Sequence, residues 1–127
     1  MGEALEKARA AKAASKVVGQ IGSADRAAVI RAMAAELRVR RASIVAANEL
    51  DVVDARAAGT SESLVDRLML DEARIESMAK GLEELAAQPD PLGRTLEGSV
   101  LANGLSIQKV TVPMGVVAIV YEARPNV

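Results

Sequence analysis

Gly115-Val-Val-Ala-Ile-Val120, followed by Tyr121-Glu-Ala-Arg-Pro-Asn-Val127, decides how this chain reads. The first part is an unbroken run of β-branched and small apolar residues bounded by Pro113 and Gly115, which predicts a strand buried on both faces. Such strands belong to parallel sheets covered by helices on each side. A parallel neighbour must be reached through a crossover of about a dozen or more residues. None follows within the 127 residues, so the run is expected to be the first strand of a larger α/β domain of which this chain is a part.

Upstream of the run the hydrophobic period changes twice. Thr95 to Leu101 and Leu105 to Val112 read as strands, and Asn103-Gly104 between them signals a hairpin turn. Alternation slips at Gln108-Lys109, which predicts a bulge. Everything earlier has helical spacing. Residues 3 to 18 form an alanine-rich segment that Gly19 and Gly22 end. Ser23 caps a second helix with Asp25 in its first turn and a stripe of Ala27, Ile30, Met33, Ala34 and Leu37. Glu36 and Arg40 are spaced to pair across one turn. A third helix runs through Ile44, Val45, Ala47, Leu50 and Val53 toward Gly59. Leu64 to Leu70 is a short apolar helix, and Asp71 caps a strongly amphipathic one carrying Ile75, Met78, Ala79, Leu82, Leu85 and Ala86 on one face. Gln88-Pro89-Asp90-Pro91 stops it. The expected organisation is a helical part over 1–93, a hairpin over 94–112, and the buried strand with its polar tip over 113–127.

Composition narrows the function. Sixteen basic and seventeen acidic side chains leave a net charge of −1 with no run of one sign, and there is a single tyrosine with no phenylalanine or tryptophan. A nucleic-acid partner would need the opposite on both counts. No cysteine and no histidine are present. The chain therefore has no thiol nucleophile, no imidazole base and no metal site of the Cys/His kind. The first residues lack an apolar signal core, and Val116 to Val120 is too short to cross a bilayer, so a cytoplasmic protein is expected.

One stretch has the makings of a ligand site: Tyr121 to Asn126, just past the carboxyl end of the buried strand, where ligands of open parallel sheets bind. Glu122 and Arg124 fall on one side of an extended backbone, where they can pair or Arg124 can hold an anion in a two-pronged fork. Pro125 keeps Arg124 out of helical torsions. Asn126 offers an amide of the kind that stabilises an oxyanion. Elsewhere the structural reading dominates. Gly115 is alone, with neither the G-x-G-x-x-G nor the phosphate-loop pattern around it. Asn48-Glu49 is expected to be a local cap or kink, and Asp66-Arg67 an ion pair. Arg38, Arg40 and Arg41 read as a solvated face, and the methionines as core.

Thr111-Val-Pro-Met-Gly-Val-Val-Ala-Ile-Val-Tyr-Glu-Ala-Arg-Pro-Asn-Val127 closely resembles the signature stretch of the gamma-glutamyl phosphate reductases, a branch of the aldehyde dehydrogenase superfamily. Asn48-Glu-Leu-Asp51, Leu64-Val-Asp-Arg-Leu-Met-Leu70, Arg74-Ile-Glu-Ser-Met78 and the region from Gly93 to Leu105 fit the same pattern. The resemblance implies NADPH-dependent reduction of L-glutamyl 5-phosphate to L-glutamate 5-semialdehyde, the second step of proline biosynthesis from glutamate. A cysteine thiolate of the family displaces phosphate, and hydride from the nicotinamide follows. Carried over residue by residue, Val120, Tyr121, Glu122 and Ala123 lie along the cofactor through their backbone. Arg124 and Asn126 face the substrate, with Asn126 the oxyanion donor; an ungapped alignment with the wider superfamily puts Arg124 there instead. The hairpin resembles the arm that pairs subunits, which implies a homo-oligomer. The family's cysteine is absent, so the 127 residues alone are expected to be inactive. A non-catalytic assembly fragment is the alternative; the Glu-Ala-Arg-Pro-Asn run argues against an oxidising aldehyde dehydrogenase.

Overall fold

A computed structural model describes residues 2–121 and Pro125. In chain order it contains α1 (Gly2–Val18), α2 (Ser23–Val39), α3 (Arg41–Ala57), α4 (Glu62–Leu68), α5 (Glu72–Ala86), β1 (Thr95–Val100) and β2 (Ser106–Val110). The described residues of Ala24–Gln88 and Ile119–Val127 make one compact unit, and those of Met1–Ser23 and Pro89–Ala118 make another.

The core lies in the first unit. Its buried apolar side chains are Ala34, Val52, Val65, Leu70, Ile75, Ala79 and Ala86. Three of the seven are alanines, on α2 and α5, and each such contact removes little area from water. Ile75 and Val65 are the largest fully buried side chains, worth about 1.5–3 kcal/mol each. On α3 the buried stripe is Asn48 and Val52, and Leu50 and Val53 face solvent. The expected stripe was offset by one residue because Asn48, a polar side chain, occupies the inward position.

Asn48 is neither a cap nor a kink. It is buried, its Nδ2 donates to the Leu68 carbonyl at 2.9 Å, and its Oδ1 accepts from the Leu70 amide at 2.6 Å. One amide thus satisfies two backbone groups of the α4–α5 connection, of the kind that a helix ending and a helix starting leave without intrahelical partners. Arg74 secures the same connection from α5, donating to the carbonyls of Asp66 and Met69 and to the Asp66 carboxylate at 2.8 Å. Asp66 therefore pairs with Arg74, not with its neighbour Arg67; adjacent residues on a helix diverge by a large angle, whereas Arg74 reaches back across the turn.

The helix ends follow local chemistry. Asp71 Oδ1 accepts from the Arg74 amide at 2.7 Å, as its capping position requires. α3 closes with the amides of Gly59 and Thr60 bonded to the Arg56 and Ala55 carbonyls, and Gly59 has φ +78°. That is the Schellman arrangement, in which the left-handed residue is most easily glycine.

In the second unit α1 buries no residue, and β1 and β2 pair antiparallel with every residue exposed. The hairpin loop is closed by Leu101 and Leu105, with the Gly104 amide bonded to the Leu101 carbonyl at 2.8 Å and Gly104 at φ +84°. This is the three-residue loop in which a turn is followed by one left-handed residue. Irregular register falls between Thr95 and Glu97, so the extra residue sits on β1, across from the Lys109–Val110 stretch of β2. The slip expected at Gln108-Lys109 is real, but the partner strand takes the additional residue. Thr111 fastens the base, bonding to Arg94 and to the Pro91 carbonyl.

Residues 113–120 depart from the sequence reading. They form no strand, and the large apolar side chains among them are exposed, as is that of Tyr121. A doubly buried strand needs a neighbour to complete its ladder, and the strands among the described residues pair only with each other. Met33 and Met114 are likewise exposed, against their expected place in the core.

Replacing Asn48 by Leu strands the Leu68 carbonyl and the Leu70 amide in the interior. The expected loss is about 2–3 kcal/mol, read from urea unfolding of the helical circular-dichroism signal. Asp71→Ala, which removes one exposed cap, is expected to cost about 1 kcal/mol by the same assay. Equal effects would mean that Asn48 does no more than a surface cap.

Candidate functional site

The predicted ligand-facing residues are only partly placed. Val120 and Tyr121 are exposed, and Glu122, Ala123, Arg124 and Asn126 lie outside the described residues. Pro125 is half-buried and lines a groove of about 1120 Å³ with residues of α2, α3, α4 and α5, among them Leu37, Met78 and Leu82. The groove wall is mainly apolar, and two of its three arginines, Arg40 and Arg74 but not Arg67, are held in ion pairs. Arg40 pairs with Glu36 at 2.7 Å, and Arg74 is held by Asp66 at 2.8 Å. Ser77 is its one hydroxyl, with no histidine in the sequence to act as its base. Such a surface can receive apolar groups.

The strongest electrostatic feature was missed by the sequence reading. Arg38 is not a free surface cation. Its Nε and Nη2 each reach Glu76 at 2.9 Å, and its Nη1 and Nη2 reach Glu83 at 2.5 and 3.0 Å. One guanidinium thus bridges the end of α2 to two carboxylates of α5. Glu76 and Glu83 are seven residues apart, two helical turns, and so stand on one face; that spacing was the available signal. The planar five-donor fork explains why arginine, and not lysine, can serve both. Hydrogen bonds from Arg38 are the main reason both carboxyls are held below the ordinary carboxylate range, against the smaller desolvation effect. Bonds to Glu83 and then Glu76 push the guanidinium still higher than usual.

Among the described residues no group of three or more Asp, Glu, His or Cys side chains is placed to hold a metal ion, and no helix is long and apolar enough to cross a membrane. The described residues include a structural clamp, an apolar groove and, taken separately, an exposed apolar run.

No family model matches the chain. Curated relatives do. A gamma-glutamyl phosphate reductase of Sulfurimonas denitrificans is 48% identical over 117 residues, covering 92% of this chain and 28% of the relative. One of Sulfurovum sp. is 49% identical over the same number of residues and with the same coverage. The fold agrees: the Thermotoga maritima gamma-glutamyl phosphate reductase superposes with a TM-score of 0.82 at 38% identity, over 86% of this chain and 26% of that one.

Over nearly its whole length the chain is similar to one part of these gamma-glutamyl phosphate reductases.

The Saccharomyces cerevisiae gamma-glutamyl phosphate reductase, 27% identical, gives a TM-score of 0.79 over 89% of this chain. The chain spans about 28% of the length of the curated gamma-glutamyl phosphate reductases it matches. The helix and hairpin arrangement is thus shared with a protein in which most of the aligned side chains differ.

Because the folded-state values of Glu76 and Glu83 are depressed, their stabilising effect is complete above the ordinary carboxylate value of about 4.3 and is lost as pH falls through the depressed values. Thermal melts across that acid range should show steadily falling stability in the wild type. Arg38→Met, already weakened at neutral pH, should show a flatter decline. Parallel curves would mean the clamp does not set the acid response.

Proposed function

We propose that this chain forms the N-terminal part of an NADPH-dependent reductase that converts L-glutamyl 5-phosphate to L-glutamate 5-semialdehyde with release of phosphate, in the proline-forming route of the cytoplasm. The observation that supports it most is the 48% identity to a gamma-glutamyl phosphate reductase across 92% of the chain, a span that necessarily includes most of the helical segments. The Tyr121-Glu-Ala-Arg-Pro-Asn126 run, with its resemblance to the family's signature, points to the same reaction.

Within that reading, residues 120–123 form one wall of the nicotinamide site through their backbone. Val120 and Tyr121 fit a wall of this kind: both are exposed, and neither has a backbone hydrogen bond to another described residue. They do not make a whole site, since no phosphate-cradling glycine motif accompanies them. When bound, NADPH supplies the hydride. Arg124 holds the substrate's phosphate or carboxylate as a bidentate partner, and the Asn126 amide donates to the oxygen that gains charge. The cysteine nucleophile of the family is not among these 127 residues, so catalysis requires residues beyond them. The hairpin of β1 and β2, exposed on both faces, serves as the arm that pairs subunits of a homo-oligomer.

A chimera tests the reading. These 127 residues replace the matching segment of the Sulfurimonas denitrificans reductase, and phosphate-dependent oxidation of glutamate 5-semialdehyde is assayed. The chimera should turn over, and the isolated 127-residue chain should not. In the chimera, Asn126→Ala should lower kcat about 100-fold with little change in KM, and Arg124→Ala should act mainly through KM. A folded, soluble chimera without activity would favour the non-catalytic assembly fragment.

A further inference from the structure

We propose that the Asn103-Gly104 turn of the hairpin modifies itself: the Gly104 nitrogen attacks the Asn103 side-chain amide, and the asparagine becomes aspartate or isoaspartate. This rests on the geometry of the loop and is independent of the reaction proposed above. The bond formed joins the Gly104 nitrogen to Asn103 Cγ. The bond broken is Cγ–Nδ2, and Nδ2 leaves as ammonia, taking up the proton that the Gly104 amide gives away. The product is a cyclic imide, which a water molecule opens at either carbonyl. Opened one way, it restores the ordinary backbone with aspartate at 103. Opened the other way, it routes the backbone through the side chain and lengthens it by a methylene. Nothing is oxidised or reduced, and water is the only co-reactant.

The loop presents both partners of this step to each other. The Leu105 amide donates to Asn103 Oδ1 at 3.1 Å, so the side chain curls over the Gly104 peptide that lies between them. The same donor draws electron density from Cγ and is already aimed at the oxygen that gains charge as the nitrogen adds. Gly104 offers no hindrance: a Cβ there would meet nothing within 4 Å, and its φ of +84° is a conformation that glycine holds without strain. Residues 101–105 are exposed to water and lie past the last register pair, Val100 with Ser106, so pairing along the strands does not occupy them. One bond opposes the step. The Gly104 amide donates to the Leu101 carbonyl at 2.8 Å and must be released before its nitrogen can attack. An exposed turn bond of this kind opens locally and slows the reaction by only about tenfold. Asn48 shows full protection by contrast, buried on α3 with Oδ1 and Nδ2 held by the Leu70 amide and the Leu68 carbonyl. Either product places a negative charge at the tip of the hairpin, and isoaspartate also disturbs the closure of Leu101 on Leu105. The turn thereby carries a slow, one-way record of the molecule's age.

The test incubates the purified 127-residue chain at neutral and mildly alkaline pH and follows it by peptide mass spectrometry, with fragmentation that separates aspartate from isoaspartate. A capped synthetic peptide of residues 101–105 runs alongside as the unrestrained reference. Of the three asparagines, Asn48, Asn103 and Asn126, Asn103 should convert first, at about a tenth of the peptide's rate. The rate should rise with pH, because the Gly104 amide must lose its proton, and isoaspartate should be the main product. Unfolding in urea should quicken it by no more than about tenfold. Asn103→Gln should leave the site unmodified. Gly104→Ala should slow conversion by about tenfold or more, and because alanine strains the loop at this φ, the same change is also measured in the peptide, which has no loop to lose. An intact Asn103 in a sample whose peptide reference has converted overturns the proposal. So does aspartate formed without isoaspartate, which would mean direct hydrolysis by water. So does a rise in urea of about a hundredfold, or conversion at Asn48 or Asn126 that outpaces Asn103.

Discussion

A strand buried in a parallel sheet cannot be completed by its own side chains: its amides and carbonyls must be met by another strand. Residues 115–120 have the composition of such a strand and, among the described residues, no strand beside them. Much else in the structure follows from that. The apolar run contributes nothing to the core, so the buried side chains come from helices α2 to α5 and the short α4–α5 connection. The hairpin bears apolar residues on a fully exposed ribbon. The helices themselves leave Leu50, Val53 and Val39 in solvent. Surfaces of this kind are expected of a segment that makes up about 28% of the length of its relatives.

What the helical unit has, it holds by a few polar fixtures. A core in which alanine is prominent gives little area per contact, which raises the relative weight of directed bonds. Asn48 and Arg74 fix the α4–α5 connection from two sides, and Arg38 fixes the end of α2 to α5. These are arrangements in which a group is satisfied several times over, so that losing one partner leaves others stranded. The Arg38 cluster is partly exposed, and solvent screening moderates its strength. Its value lies in geometry, because two carboxylates on one face of α5 are read by a single planar fork.

Local chemistry was legible in the sequence, and long-range partnership was not. Asp71, the Gly59 terminus, the Asn103-Gly104 turn and the Glu36–Arg40 pair each involve residues a few positions apart, whose geometry is set by the backbone they sit on. Asn48 reaches twenty and twenty-two residues along the chain, and Arg38 thirty-eight and forty-five. Periodicity carries no record of such distances. It misled for Val53, because a buried polar residue broke the apolar pattern of α3. It placed the terminal strand from composition alone, and composition cannot supply a neighbour. For the ligand-facing tip, residue types and their order were legible; Val120, Tyr121 and Pro125 are the members the structure describes.

Backbone hydrogen exchange on dilute, monomeric chain reads the central constraint residue by residue. The amides of Val116 to Val120 should exchange nearly as fast as those of an unstructured peptide. The Ile75 amide, bonded to the Asp71 carbonyl at 3.0 Å within the packed helical unit, should be strongly protected. Protection of Val117 and Ile119 matching that of Ile75 in the monomer would show that the run finds its sheet partner within this chain, and would contradict the claim that its backbone awaits a strand from elsewhere.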